Sequence, residues 1–515
     1  MSVIGIDLGT HVISLALHKD GENTTQVIAD DMGSRTIPSI IAFREGEIII
    51  GQAALSQQNK NPKNTFDNVI QCLLFEPEKT SMNVPVVGKD ISVIEMASHL
   101  FRNIHNQVKQ QVGSVVRDSI VVVNQELSET AAANLMEAAQ QGGIRIKAVM
   151  QNTTAALLGF KLDEFNLSAS ETVISGSTTS ALVVDVGFSQ SSASLYTVTQ
   201  GIFRQQIRRQ TTVCTASKLV ELFVAHCVKD FKRKHKMDCT DSARCMLRLQ
   251  RECVLMIKML STANEANMTI DSLYEGIDYQ LKITRAKFED LCTIPFMQLK
   301  QFIMELLKDE SVTGVVNGIT HVCIVGGLSA VPRLQTLVRG CVTSASTTVQ
   351  YPKLLNIDSS EVACVGAALH GVHLEKQDLL ESAMNLNMPT DIKATTKALY
   401  LMSTPLPLES VFSKISLNET SALSPIPVVA AGAILPYSIN LPAAVDTSAT
   451  GAGNCYFQVL TSSGDKYLPL GEILFETESL SSNQVGINIA IAVDGEITIT
   501  TMSGKKELQR LVIGV

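Results

Sequence analysis

Short, nearly continuous apolar runs alternate with longer amphipathic stretches from the N-terminus to near residue 385. That is the pattern of strands alternating with helices in an α/β domain. Val3-Ile4-Gly5-Ile6-Asp7-Leu8 and Ala181-Leu182-Val183-Val184-Asp185-Val186 read as buried strands. Further on, the helical spacing thins, and apolar stretches such as Val428–Ala431, Tyr456–Leu460 and Gly486–Val493 are separated by Pro, Gly and Ser. Gly495-Glu496-Ile497-Thr498-Ile499-Thr500-Thr501 alternates with period two, as a half-buried strand does. Prolines divide the same way: seven of the 15 lie in residues 1–380 and eight in the last 135. The pattern predicts an α/β domain over 1–380, a connector over 381–395 marked by Asn385, Asn387, Pro389 and Thr390, and a small all-β domain over 396–515.

Composition agrees with two or three globular domains: 515 residues, 45% hydrophobic and 18% charged. A net charge of -8 argues against a nucleic-acid-coating surface, and no sequence-specific nucleic-acid contact is expected. Runs such as Ala181–Val184 and Val428–Leu435 fall far short of the roughly 18–20 apolar residues that span a bilayer, so no membrane partner is expected. Asp7 interrupts the first apolar run, which argues against a secretory signal. The 11 cysteines are scattered through apolar sequence with no C-x-x-C pair, as expected of reduced, buried thiols in a cytosolic protein.

The α/β part carries an internal echo. The strand that reaches Asp7-Leu8-Gly9 is matched 178 residues later by the one reaching Asp185-Val186-Gly187, and each is followed by a second apolar stretch (Val12–Leu17; Ala193–Val198). Two such hairpins on duplicated, facing halves would make a phosphate clamp. Glycine lets the backbone approach phosphate, and each Asp can hold water on a bound Mg²⁺. The plainer reading is that each Asp-x-Gly is a turn with a locally bonded carboxylate.

Specific segments narrow the choice. Gly5-Ile6-Asp7-Leu8-Gly9-Thr10, Phe231-Lys232-Arg233-Lys234-His235-Lys236, Asp271-Ser272-Leu273-Tyr274-Glu275-Gly276-Ile277-Asp278, Ile283-Thr284-Arg285-Ala286-Lys287-Phe288-Glu289-Asp290-Leu291, Val325-Gly326-Gly327-Leu328-Ser329 and Val365-Gly366-Ala367-Ala368 occur in this order. Together they resemble the seventy-kilodalton heat-shock chaperones. The resemblance implies an actin-like ATPase fold of two lobes, each on a five-stranded sheet, followed by a peptide-binding β-sandwich. ATP or ADP with Mg is the cofactor it implies. A helical lid would normally follow the sandwich, and the chain is expected to lack one.

The same resemblance assigns site residues. Asp7 and Asp185 match the Mg²⁺-side carboxylates, Gly9, Thr10 and Gly187 the phosphate hairpins, Gly326, Gly327 and Ser329 the adenosine loop, and Lys258 a basic residue beside it. The catalytic positions are lost. Ile70 stands for a lysine, with no Lys or Arg from Asn64 to Glu78, and Asn152 and Thr153 replace a glutamate and a proline. The second loop reads Gly187-Phe188-Ser189-Gln190-Ser191-Ser192 where two further glycines, a threonine and, at Ser192, an acid belong. Val254, Ile257 and Ala330 erode the adenosine side. Each lost electrostatic partner costs about 100- to 1,000-fold in rate, so hydrolysis is expected near background.

Other motifs have ordinary explanations. Lys229–Lys236 reads as a solvated helix face interrupted by Asp230 and Phe231 rather than a nucleic-acid contact. His370 and His373 lack a third metal ligand, and Cys292 a partner base. The β domain's apolar stretches fill a core before they line a groove. The resemblance is nearest to the short, lid-less, ribosome-associated members. It implies a cytosolic partner of a J-domain protein that stimulates a typical heat-shock chaperone on nascent chains at the ribosome. The alternatives are a working ATP-dependent chaperone, a small-molecule kinase of the same fold and a nucleotide-exchange partner.

Overall fold

The computed structural model describes residues 3–375, apart from 20–23, 31–32, 114–115, 117, 163–178, 200–201, 317, 343–348 and 353–355, and eight strands between 399 and 513. The connector assigned to 381–395 lies outside the described residues.

The two echoing segments become the same structure twice. Ile4–Leu8 forms an antiparallel hairpin with Val12–Lys19, pairing Asp7 with Ser14, and lies parallel to Asp118–Val123 on its other side. Thr179–Val186 forms an antiparallel hairpin with Ser191–Thr199, pairing Asp185 with Ser192, and lies parallel to Ile319–Val325. Each Asp thus ends a central strand buried on both sides, where the apolar run needs no alternation. The strands of the first sheet run in the order Arg145–Gln151, Asp118–Val123, Ile4–Leu8, Val12–Lys19, Thr24–Val27, and those of the second Ile202–Thr211, Ser191–Thr199, Thr179–Val186, Ile319–Val325.

The expected five-stranded sheets need correction. Thr24–Val27 covers only Ala16–Lys19 of its neighbour, and the uncovered Val12–Ser14 pairs with a sixth strand, Thr36–Pro38. Unpaired edge groups attract such an addition. The second sheet has four strands among the described residues, with one isolated bridge from His321 to Gln350 beside its edge.

Each lobe has its own apolar core. Ile6, Leu15, Phe101 and Leu135 belong to the first, and Leu182, Phe223, Phe231, Tyr279 and Phe288 to the second. A third cluster joins them: Val122 and Met150 from one sheet meet Val183, Tyr196 and Cys323 from the other, together with Ala155 and Ala367. Ala367 belongs to the helix Val362–Glu375, which lies on the first strand at Gly5. A Cβ at Gly5 would fall 2.0 Å from the Cys364 carbonyl oxygen, so only glycine admits the helix backbone there.

The eight later strands form two four-stranded antiparallel sheets. In Ile497–Ser503, Ile497, Ile499 and Thr501 are buried while Thr498 and Thr500 are half-buried, as the period-two pattern requires. The molecule is therefore an actin-like α/β body followed by an all-β sandwich.

Candidate functional site

The two hairpin turns meet at the junction of the lobes. Asp7 is the last residue but one of the first central strand and half-buried, and Asp185 the last but one of the second and 5% exposed. Desolvation pushes Asp7 up to about 7. Asp185 is raised well above the carboxylate range, first by desolvation and then by the charge of Asp7, against opposing help from Asn152 and Arg208. Gly326 follows the strand Ile319–Val325 with φ +89°, and a Cβ there would fall 2.2 Å from Asp185 Oδ1. Glycine therefore serves twice at this point, for the left-handed backbone and for closeness to the carboxylate.

Asp185 is satisfied by amides of the opposite lobe. Asn124, just past Asp118–Val123, donates through Nδ2 to Asp185 Oδ2 at 2.5 Å and to the Gln190 carbonyl at 3.2 Å. Its Oδ1 accepts from Ser192 Oγ at 2.9 Å, and its carbonyl accepts from Arg208 Nη2 at 2.9 Å and Gln210 Nε2 at 2.6 Å. Asn152 caps the site from its own helix, Asn152–Gly159, with a side chain only 5% exposed. Two buried acceptors, Asn152 Oδ1 and Gln190 Oε1, are left without a partner.

The turns themselves touch. Thr10 Oγ1 lies 2.8 Å from Ser189 Oγ. The His11 ring stacks on Phe188 with centroids 3.9 Å apart and planes 5° from parallel. Burial lowers the His11 pKa, with Asp67 pulling the other way, so the stacked ring is held toward its neutral form. Deeper in the joint, Thr153 Oγ1 bonds Ser194 Oγ at 3.2 Å and Tyr196 Oη at 2.9 Å, and Thr154 Oγ1 bonds Tyr196 Oη at 3.0 Å. A hydroxyl network thus occupies the position where the resemblance places a proline.

Of the residues singled out in the sequence, Asp7, Gly9, Thr10, Asp185, Gly187, Gly326, Asn152 and Ser192 sit at or beside these turns. Ser329 is buried one turn beyond Gly326, its N–H donating to the Gly326 carbonyl, while Gly327 and Ala330 are exposed. Lys258 is exposed on the helix Ala243–Thr262. Ile70 is fully buried in the first lobe's core and offers the site no functional group. The basic run is spent locally: Arg233 and Lys234 each reach Asp230 at 2.7 Å, and Lys232 reaches Asp238 at 2.8 Å.

Sequence reasoning missed Asn124, His11 and Arg208. For Asn124 there was a signal, a polar residue directly at the carboxyl end of a buried apolar strand, where α/β sheets place their ligands. Arg208 had none, being one of several arginines on Ile202–Thr211.

Does the site fit a nucleotide with Mg²⁺? The carboxyl oxygens of Asp7 and Asp185 and the unpartnered amide oxygens of Asn152 and Gln190 are the donor type a hard divalent cation takes. The phosphate end does not fit, because the space between the hairpins is taken by Thr10, His11, Phe188 and Ser189. Asn152 and Ser192, where the resemblance places acids, take up no proton near neutral pH. Among the described residues, no group of three or more His, Cys, Asp or Glu could hold a metal, and no helix is long and apolar enough to cross a membrane.

Two lobes built on a repeated Asp-ended hairpin, with a joint at their carboxyl ends, define a protein of the actin-like ATPase class. The family model described as Hsp70 protein matches residues 3–389, and the chain belongs to the Hsp70 chaperone family. Heat shock 70 kDa protein 2 of Paracoccidioides lutzii is 30% identical over 65% of this chain and 53% of its own length. Heat shock 70 kDa protein 14-A of Xenopus laevis is 28% identical over 74% of this chain and 75% of its own length. Heat shock 70 kDa protein of Neurospora crassa is 28% identical over 79% and 61%. The chain thus spans only part of the curated relatives it matches, about half of the first. The family binds ATP and ADP with Mg and works with J-domain co-chaperones.

Proposed function

We propose that this chain is a non-hydrolysing chaperone subunit of the cytosol. It holds and orients a J-domain protein, which stimulates a typical heat-shock chaperone acting on nascent chains at the ribosome. The observation that carries this reading is the sequestration of Asp185. Its carboxylate accepts from Asn124, and the neighbouring positions, Asn152 and Ser192, supply neither acid nor base. Catalysis of phosphoryl transfer rests on positioned charge around Mg²⁺ and the γ-phosphate, and Ile70, Asn152 and Ser192 carry none. What remains is a folded body whose surface, rather than its chemistry, serves a partner.

A single-turnover assay with excess protein, labelled ATP and Mg²⁺ tests the first half of the reading. Cleavage at the uncatalysed rate is expected, and cleavage that Asp7→Ala abolishes would return the chain to the working chaperones. Co-purification tests the second half. A J-domain protein and ribosomes should be recovered with the chain, and recovery of neither removes the partner role.

A further inference from the structure

The turns that grip phosphate in this family grip each other here. The contact is made from both sides: a hydroxyl pair, Thr10–Ser189, and beside it the His11–Phe188 stack. Parallel rings 3.9 Å apart are in van der Waals contact, so no atom fits between them. Each turn is also fixed from behind. The first follows a strand buried between two partners, and the second is tied to the first lobe by Asn124, which holds Asp185, the Gln190 carbonyl and Ser192. The apolar cluster of Val122, Met150, Val183 and Tyr196 and the Thr153 hydroxyl network hold the same joint from below.

We infer that the two turns form an intramolecular clasp: His11, Phe188, Thr10 and Ser189 close the lobes on each other in place of bound phosphate, so lobe closure needs no nucleotide. This goes beyond the partner role proposed above, which requires only that hydrolysis be absent. In a phosphate clamp the ligand bridges two turns that do not otherwise touch. In this chain the bridge is part of the covalent chain, and its effective concentration is set by the fold.

The test is amide exchange on the full chain, read at residues 9–12 and 187–190, with and without millimolar Mg-ATP. Wild type should show equal protection of both turns, and an equal melting temperature, in the two conditions. Phe188→Ala should speed exchange at 9–12, in the other lobe, by about 2- to 10-fold, the value of one aromatic pair. Protection of the distant hairpin 265–284 should stay unchanged, which controls for loss of fold. If Phe188→Ala does not fold, Ser189→Ala, which removes one hydroxyl, is read the same way and should give about a 2-fold or larger effect. The clasp is overturned if Mg-ATP raises wild-type protection at both turns, or if neither variant changes exchange at 9–12. Opening by Mg-ATP without cleavage would sink the clasp and leave the partner role standing. Cleavage by wild type above the uncatalysed rate would sink both, since phosphate would then have to lie between the turns.

Discussion

Asn124 spends every polar atom of its side chain and its carbonyl on the opposite lobe. Replacing it with alanine strips Asp185 and Ser192 of a partner and leaves Arg208 and Gln210 tied only to the carbonyl. A buried polar group left unsatisfied costs about 1–3 kcal/mol, so Asn124→Ala should lower the melting temperature of the α/β body. Asn124→Asp should lower it further, because a third carboxylate then faces Asp185 and Asp7. An unchanged melting temperature in both variants would mean that the joint carries no stability. At this scale the sequence was half legible. Asp7 and Asp185 stood out because each ends an apolar run at Asp-x-Gly, a local pattern. Asn124 and the His11–Phe188 stack did not, because their partners lie 61 or more positions away and no spacing rule connects them.

Among the elements, the helix Ala216–His235 shows how a basic run is neutralised by its own fold. Asp230 is 8% exposed and accepts from Arg233, Lys234 and Tyr279. Desolvation alone would raise its pKa, but hydrogen bonds from Lys234 and Arg233, the charge of Lys234 and the Tyr279 hydroxyl outweigh that and hold it below 3.8. A depressed folded pKa contributes stability above the unfolded value and loses it as pH falls through the folded one. Asp230→Asn should therefore cost about 1–3 kcal/mol at pH 7, where hydrogen bonds to a charged group are lost. The gap to wild type should close as the pH falls below the unfolded pKa, 3.8. A gap in melting temperature that stays constant from pH 7 to pH 3 would refute the charge-based account. Elements were the most legible scale, since strands and helices announce themselves by period, as Ile497–Ser503 does. The sixth strand, Thr36–Pro38, was not legible, because what recruits it is an uncovered edge on Val12–Ser14.

For the molecule as a whole, ten of the 11 cysteines lie in the α/β body, and all ten are free and buried. Burial pushes Cys214 and Cys292 up to about 12, far from the thiolate range. A native chain mixed with a disulfide reagent should release no more than one equivalent promptly, with the rest following at the rate of unfolding. Several equivalents at once would mean that the cores open readily. The scattered, apolar setting of these thiols made this legible in advance. The way the lobes meet was not, since it depends on side chains from five separate segments. The helix on the first strand carries one more consequence. Residues 362–375 cover Gly5, so the N-terminal strand has to wait for a segment made about 360 positions later. At about 5–20 residues per second, that is on the order of 20–70 s of synthesis during which the strand Ile4–Leu8 lacks its cover.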